Sequence, residues 1–253
     1  MTAGFTKRSA RHDPDFYAVE AAGLRWLAAA GPDAARMAHV VAVDEHSITL
    51  ERLEPTRPDR RAAEDFGRAL AVTHASGAAA FGQPPEGWAG DGYIGQQRMS
   101  MRPEEAWGRF YAEQRMMPYA RKARDLGHLS SAASGQVERV AERLAAGEFD
   151  DERPVARIHG DLWSGNVLFT EVGVVLIDPA AHGGHGLTDL AMLHLFGAPH
   201  LEAITREYAE AADLPDGWVD LIGLHQLHPL LVHAVSHGPS YGAEAGRVAE
   251  RYA

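Results

Sequence analysis

His159, Asp161 and Asn166 stand in the spacing H-x-D-L-x-x-x-N, and twelve residues further on Asp178 closes the apolar run Val174-Val175-Leu176-Ile177. These groups suit the movement of a phosphoryl group. One carboxylate must orient an attacking hydroxyl and accept its proton, while separate oxygen ligands hold Mg²⁺ on the phosphates of a nucleotide such as ATP. Asp161 suits the first task. Asn166 and Asp178 suit the second, because Mg²⁺ takes oxygen ligands and keeps waters beside one or two protein carboxylates. Asn and Asp also favour turns for backbone reasons. Four polar residues in one ordered spacing, the last ending an apolar strand, go beyond turn formation.

The same chemistry asks for a strand lysine on the α- and β-phosphates and a helix glutamate to hold it. Lys7 and Glu20 come in that order, ahead of the loop. Glu51 to Leu53, at the end of a later strand, is where the edge of an adenine would meet backbone groups. The loop has the pattern of a kinase catalytic loop with Gly160 where protein kinases carry arginine. That arginine commonly meets a phosphorylated activation loop, so this chain is expected to lack that switch.

The elements that must carry these residues follow from periodicity and punctuation. A strand is expected over residues 3–7. Asp13 as N-cap and Pro14 in the first turn predict a helix with Phe16, Val19, Glu20, Leu24 and Leu27 at helical spacing, stopped by Gly31-Pro32. His39 to Val43 and Ser47 to Leu53 flank Asp44-Glu45-His46 as a hairpin. Asp59 to Ala80 turns helical again, the Gly- and Pro-rich stretch 81–95 is expected to be an ordered loop, and helices are expected over Pro103 to Leu126 and Ser130 to Ala146. Short strands follow at Val155 to Ile158, Val167 to Phe169 and Val172 to Ile177. Three helices then fit Leu187 to Leu195, Glu202 to Ala212 and Trp218 to His237. The expected fold is α+β, with a nucleotide-binding lobe at residues 1–54 and a mainly helical catalytic and substrate lobe at 55–253. A cleft between them is the default ligand site.

Composition narrows the partners. The chain has 253 residues, 24 basic against 35 acidic and no cysteine, which excludes disulfides and thiolate metal sites. A net charge of −11 argues against a nucleic-acid binder, because phosphate neutralisation needs a basic footprint. Only Lys7 and Lys122 among the basic residues are lysines. The absence of an 18-residue apolar run and of a secretory h-region leads to the expectation of a cytoplasmic protein that does not contact membrane.

The block HGDLWSGNV, then VLIDPA and TDLAMLHLFG, with FYAEQRMMPYA, DGYIG and LHQLHPLLVHA, resembles the fructosamine and ketosamine kinases. These are relatives of the aminoglycoside phosphotransferases on the protein-kinase-like fold. The resemblance implies ATP-dependent phosphorylation of a sugar hydroxyl on a ketosamine or other glycated amine, with Asp161 as base, Lys7 and Glu20 at the nucleotide, Asn166 and Asp178 at Mg²⁺, and Trp163 lining the sugar pocket. His233 is a further candidate for reaching the substrate.

Two departures accompany it. The glycine-rich hairpin that the family carries ahead of the lysine strand is missing, so a truncated small lobe is expected. Gly186 and Leu187 stand where relatives usually carry an Arg-Glu pair, and Leu221 where an Arg is common, which questions a salt-bridge network behind the metal loop. Alternatives are a phosphotransferase acting on an aminoglycoside or another hydroxyl compound, and a nucleotide-free remnant serving as a binding module. The spacings of His182 and His185, His225 and His228, and His233 and His237 could suit Zn²⁺ or Ni²⁺, but core packing is the preferred reading of them. Trp107, Phe110 and Tyr111 are likewise expected in the core.

Overall fold

The computed structural model describes residues 4–9 and 13–253. Ala3, the first residue of the expected strand, lies outside them. The chain opens with β1 (Gly4–Arg8), α1 (Phe16–Ala28), β2 (Arg36–Met37), β3 (Val40–Asp44), β4 (Ser47–Glu51) and α2 (Arg60–Ala75). β1, β4 and β3 form an antiparallel sheet in that order, with Lys7 opposite Ile48. The β-branched runs supply the strands, and Asp44 closes the hairpin by accepting from the His46 N–H at 2.8 Å and the Ser47 hydroxyl at 2.8 Å.

α1 begins at Phe16, not at the Asp13-Pro14 cap expected from sequence. Asp13 to Asp15 instead form a turn whose Asp13 carbonyl accepts from Phe16 N at 3.0 Å. The Asp13 carboxylate is taken by the Tyr93 hydroxyl and the Arg98 guanidinium, at 2.8 and 2.7 Å, so it serves a tertiary contact. α2 does start as expected, with the Asp59 carboxylate accepting from Ala62 N.

The Gly- and Pro-rich stretch is not all loop: it runs into β5 (Gly92–Ile94), which pairs with β6 (Gln97–Met99). Helix then begins at Trp107, later than the expected Pro103, as α3 (Trp107–Phe110), a π-helical turn over Tyr111–Met116 and α4 (Met117–Asp125). Pro118 accounts for the need to widen the helix, since it has no N–H for the carbonyl of Gln114. The Arg115 guanidinium donates to that carbonyl instead, at 3.2 Å. α5 (Ser131–Ala145) is capped by Ser130.

β7 (Ala156–Ile158), β8 (Val167–Thr170), β9 (Gly173–Leu176) and β10 (His182–Gly184) surround the motif loop. β8 and β9 form a hairpin, β10 pairs with β7, and β2 joins β9 in parallel, which binds the N-terminal third to the strand that leads into Asp178. α6 (Leu187–Phe196), α7 (Leu201–Ala211), α8 (Ile222–His237) and α9 (Pro239–Ala249) complete a mixed α+β chain. No helix among the described residues is long and apolar enough to cross a membrane.

Two apolar cores hold these elements. One joins α1, β3, β4 and α2 to β8, β9, α6 and α7 through Leu24, Leu50, Leu70, Leu176 and Ile204. The other packs α3, the π turn, α4 and α5 against α8 and α9, and it contains Trp107, Phe110 and Tyr111 as expected.

Candidate functional site

The loop from His159 to Asn166 is held by hydrogen bonds that its sequence provides. His159 is buried, and its Nε2 lies 2.9 Å from the Ile177 carbonyl, which can only accept; Nε2 therefore carries the proton and Nδ1 accepts from Asp161 N at 3.2 Å. One imidazole thus ties the end of β9 to the loop. Burial lowers its pKa, which keeps this neutral tautomer. Gly160 has φ +80°, and a Cβ there would run into the Ala180 carbonyl, so only glycine allows the loop to lie against the segment after Asp178.

Asp189, a lone acid in the apolar run of α6, is fully buried beneath the loop. It accepts from His159 N and Gly160 N, both at 2.8 Å, and from His74 Nε2 at 3.0 Å. Burial alone would raise its carboxyl; the His74 contact and the Gly160 N–H hold it below the usual value. His74 in turn meets the Tyr208 hydroxyl at 2.7 Å. Sequence reasoning assigned Asp189 and His74 no part in the site. An acid inside an apolar helix was the available signal.

Gly186 explains the departure noted at this position. A Cβ on it would approach the Tyr208 hydroxyl to 2.5 Å and His74 Nδ1 to 2.9 Å, so these two side chains fill the space that a larger residue would need. Leu187 is buried and Leu221 partly buried among apolar neighbours. Behind the loop, the described residues show the His74, Asp189 and Tyr208 network.

The loop brings Asp161, Asn166 and Asp178 together. Asn166 Nδ2 donates to the Asp161 carbonyl at 2.8 Å and reaches Asp161 Oδ2 at 3.4 Å, which leaves Oδ1 as the asparagine's acceptor. Asp178 adopts φ +54°, the left-handed region that few non-glycine residues enter. Lys7 Nζ lies 2.7 Å from Glu20 Oε1 and also contacts Asp178 Oδ1, so the lysine of β1, the glutamate of α1 and the aspartate after β9 meet at one ammonium. Burial would lower the Lys7 pKa, but the Glu20 and Asp178 carboxylates raise it overall. Burial pushes the Glu20 carboxyl up, against the pull of Lys7. The Asp161 carboxyl is pushed up to about 7, chiefly by burial and then by the charges of Asp178 and Asp189.

Two cavities adjoin Asp161. One, about 380 Å³, is lined by Lys7, Glu20, Asn166, Asp178 and Asp161, with Tyr17 and Tyr93 on its walls. The other, about 770 Å³, is lined by Phe196, His233, His237 and Tyr241 with the β5–β6 turn, and again by Asp161 and Trp163. Trp163 is 44 % exposed and shared by both cavities, which excludes a core-anchor role. Its indole covers Gly165, where a Cβ would clash with the ring. His233 Nδ1 is 2.8 Å from the Pro229 carbonyl, and its ring stacks on His237 at 5.0 Å.

Glu51 and Leu53 are not brought to either cavity. The Glu51 carboxylate accepts from His39 N at 3.0 Å and faces Arg36, while Leu53 packs on the first core. The paired histidines are used within the protein: His225 Nδ1 meets the Thr188 hydroxyl at 3.0 Å, and His185 Nε2 lies 3.2 Å from Asp151. No group of three or more potential ligands is gathered among the described residues.

The sequence profile of the fructosamine kinase family matches residues 2–253. A curated relative from Enterococcus faecium, named "Probable ketoamine kinase", is 31 % identical over 206 residues, spanning 81 % of this chain and 71 % of its own. A solved structure from Thermobifida fusca, carrying a provisional fructosamine-3-kinase name, superposes with a TM-score of 0.91 at 42 % identity and covers 99 % of this chain and 85 % of its own. A ternary complex of an aminoglycoside phosphotransferase with ADP and hygromycin B shares the fold alone, with a TM-score of 0.56 at 15 % identity over 92 % of this chain and 83 % of that one.

Proposed function

The chain belongs to the fructosamine kinase family, phosphotransferases with a hydroxyl acceptor, and on that premise we propose that it phosphorylates a sugar hydroxyl of a ketosamine with ATP. One observation carries the proposal: Asp161 lines both cavities, one furnished with the lysine, glutamate, asparagine and aspartate of a nucleotide site and the other with rings and neutral polar groups.

In this reading residues 1–54 supply the nucleotide side and 55–253 the catalytic and substrate side. Lys7, held by Glu20, meets the α- and β-phosphates once they displace its contact with Asp178. Asn166 Oδ1 and the Asp178 carboxylate are an all-oxygen donor set that fits Mg²⁺ and would hold it. When bound, the ion neutralises charge that develops on the phosphates.

Asp161 orients the acceptor hydroxyl and takes its proton as the oxygen bonds to the terminal phosphoryl group and ADP departs. A carboxyl with a pKa near 7 suits a base at neutral pH. Trp163 offers its face to the sugar ring, and His233 meets the part of the acceptor that extends from the sugar.

The test is ADP release with Mg²⁺-ATP and fructosyl-lysine, run on this chain and on its Asp161→Asn variant. Turnover by the first and none by the second supports the reading. No turnover of any ketosamine, alongside turnover of another hydroxyl compound, would move the function to that acceptor.

A further inference from the structure

Arg115 sits in the π turn, 1 % exposed, and no carboxylate among the described residues pairs with it. Its NH1 donates to the Ser100 carbonyl at 2.7 Å and to the Gln114 carbonyl, its guanidinium lies 4.4 Å from the Phe110 ring centroid, and its NH2 has no partner among the described residues. An unpaired buried cation is costly. Replacing such a group by an apolar one is often neutral or better for stability, so its presence asks what it does.

Its remaining N–H points the way. Nε donates to His182 Nε2 at 3.4 Å, which makes Nε2 the unprotonated nitrogen of that ring. The proton is then on Nδ1, which lies 2.8 Å from the Ala180 carbonyl and donates to it. That same carbonyl is where the backbone of Gly160 rests, too close for any Cβ, and the His182 ring closes the other side, 3.2 Å from where a Cβ of Gly160 would be. Ala180 is two residues past the left-handed Asp178, and Gly160 directly precedes Asp161. The Ala180 carbonyl is therefore the bearing between the two acidic loops of the site.

We propose that Arg115 and His182 are positioning residues: the guanidinium on Nε2 and the Ala180 carbonyl on Nδ1 together hold the His182 proton on Nδ1, and His182 then pins the Ala180 carbonyl that sets Asp161 against Asp178. Burial and the Arg115 charge push the His182 pKa down to about 3, in keeping with a neutral ring. Removing the guanidinium takes away one of these two constraints and raises the share of the other tautomer, whose Nδ1 would face the Ala180 carbonyl with a lone pair.

The kinetic part of this inference rests on the proposed function; the tautomer does not. ¹⁵N NMR of the full chain should report His182 in the Nδ1–H form, and Arg115→Met should shift it toward the Nε2–H form. A wild-type ring in the Nε2–H form overturns the relay whatever the enzyme turns over. With a ketosamine and Mg²⁺-ATP, His182→Phe, which keeps a ring against Phe110 but loses the donor, should lower kcat by on the order of ten- to a hundredfold. KM for both substrates should stay within about twofold, since the binding groups are untouched. His182→Asn, whose amide nitrogen takes the place of Nδ1, should restore most of kcat. Arg115→Met should lower kcat alone and add nothing in the His182→Phe background. A His182→Phe variant as fast as wild type, a His182→Asn variant as slow as His182→Phe, or losses that multiply in the double variant would each refute the relay. Absence of turnover by the wild type would instead count against the proposed function, and the NMR result would still decide the relay.

Discussion

Lys7 on β1 and Asp178 after β9 are in direct contact across 171 residues of chain, and Glu20 holds the other side of the same ammonium. One ammonium thus bridges two acids, one of which is a proposed Mg²⁺ ligand. In the proposed reading, nucleotide binding exchanges the Asp178 contact for phosphate contacts.

Lys7→Met should therefore damage nucleotide use more than acceptor use. We expect kcat/KM for ATP to fall by on the order of a hundredfold, about 2.7 kcal/mol of transition-state stabilisation, with KM for the ketosamine nearly unchanged. A coupled ADP assay with each substrate varied in turn reads the difference.

The raised carboxyl of Asp161 sets a pH dependence in two observables. Activity needs the deprotonated base, so log kcat/KM should fall with unit slope as pH drops below about 7. Asp161→Asn should cost on the order of 10³ in kcat. For stability the sign is opposite: the folded carboxyl keeps a proton that the unfolded one gives up from its ordinary 3.8, so the wild type loses stability as pH rises from there to about 7. The Asp161→Asn variant should melt higher than wild type at pH 8, and the gap should close at pH 4. A variant that melts lower at pH 8 would contradict the assigned shift.

Trp163 is exposed enough that its loss should spare the fold. Trp163→Ala should raise KM for the ketosamine, costing about 2 kcal/mol or roughly thirtyfold in kcat/KM, from lost ring contact. Its melting temperature should match that of the wild type.

Asp189 presents the reverse case, with no access to a ligand and three donors aimed at it. Asp189→Ala should destabilise by about 3 kcal/mol by leaving those donors buried and unpaired, on the order of 10 °C in melting temperature. Its carboxyl is held low in the fold, so its contribution is present at neutral pH and lost as pH falls through the folded value. The gap between variant and wild type should narrow in acid.

The motif loop was legible because its residues act within a short covalent span, and the order of Lys7 and Glu20 ahead of it was legible because phosphoryl transfer constrains which elements come first. The hairpin of β3 and β4 and the starts of α2 and α5 followed from local chemistry. What was hidden depends on partners distant in sequence. β2 and β10 have two and three residues and exist through their pairing with β9 and β7, and no period can form over so few positions. Asp13 looked like a cap until Tyr93 and Arg98 claimed it. The adenine edge assigned to Glu51 and Leu53 rested on order alone, and both side chains are occupied elsewhere. Arg115 gave no signal, since its significance lies in what it lacks and in the carbonyl that Pro118 leaves open.

The left-handed backbone of Asp178 narrows the substitutions open to that codon. Glycine, asparagine and aspartate enter this region most readily among the residue types. Glycine brings no oxygen ligand, and asparagine brings a neutral one that pairs poorly with the Lys7 ammonium. Backbone shape and ligand chemistry therefore select independently, and aspartate is the residue common to both sets. Variation among active descendants of this sequence should be scarcer at Asp178 than at Asn166, whose conformation asks for nothing unusual.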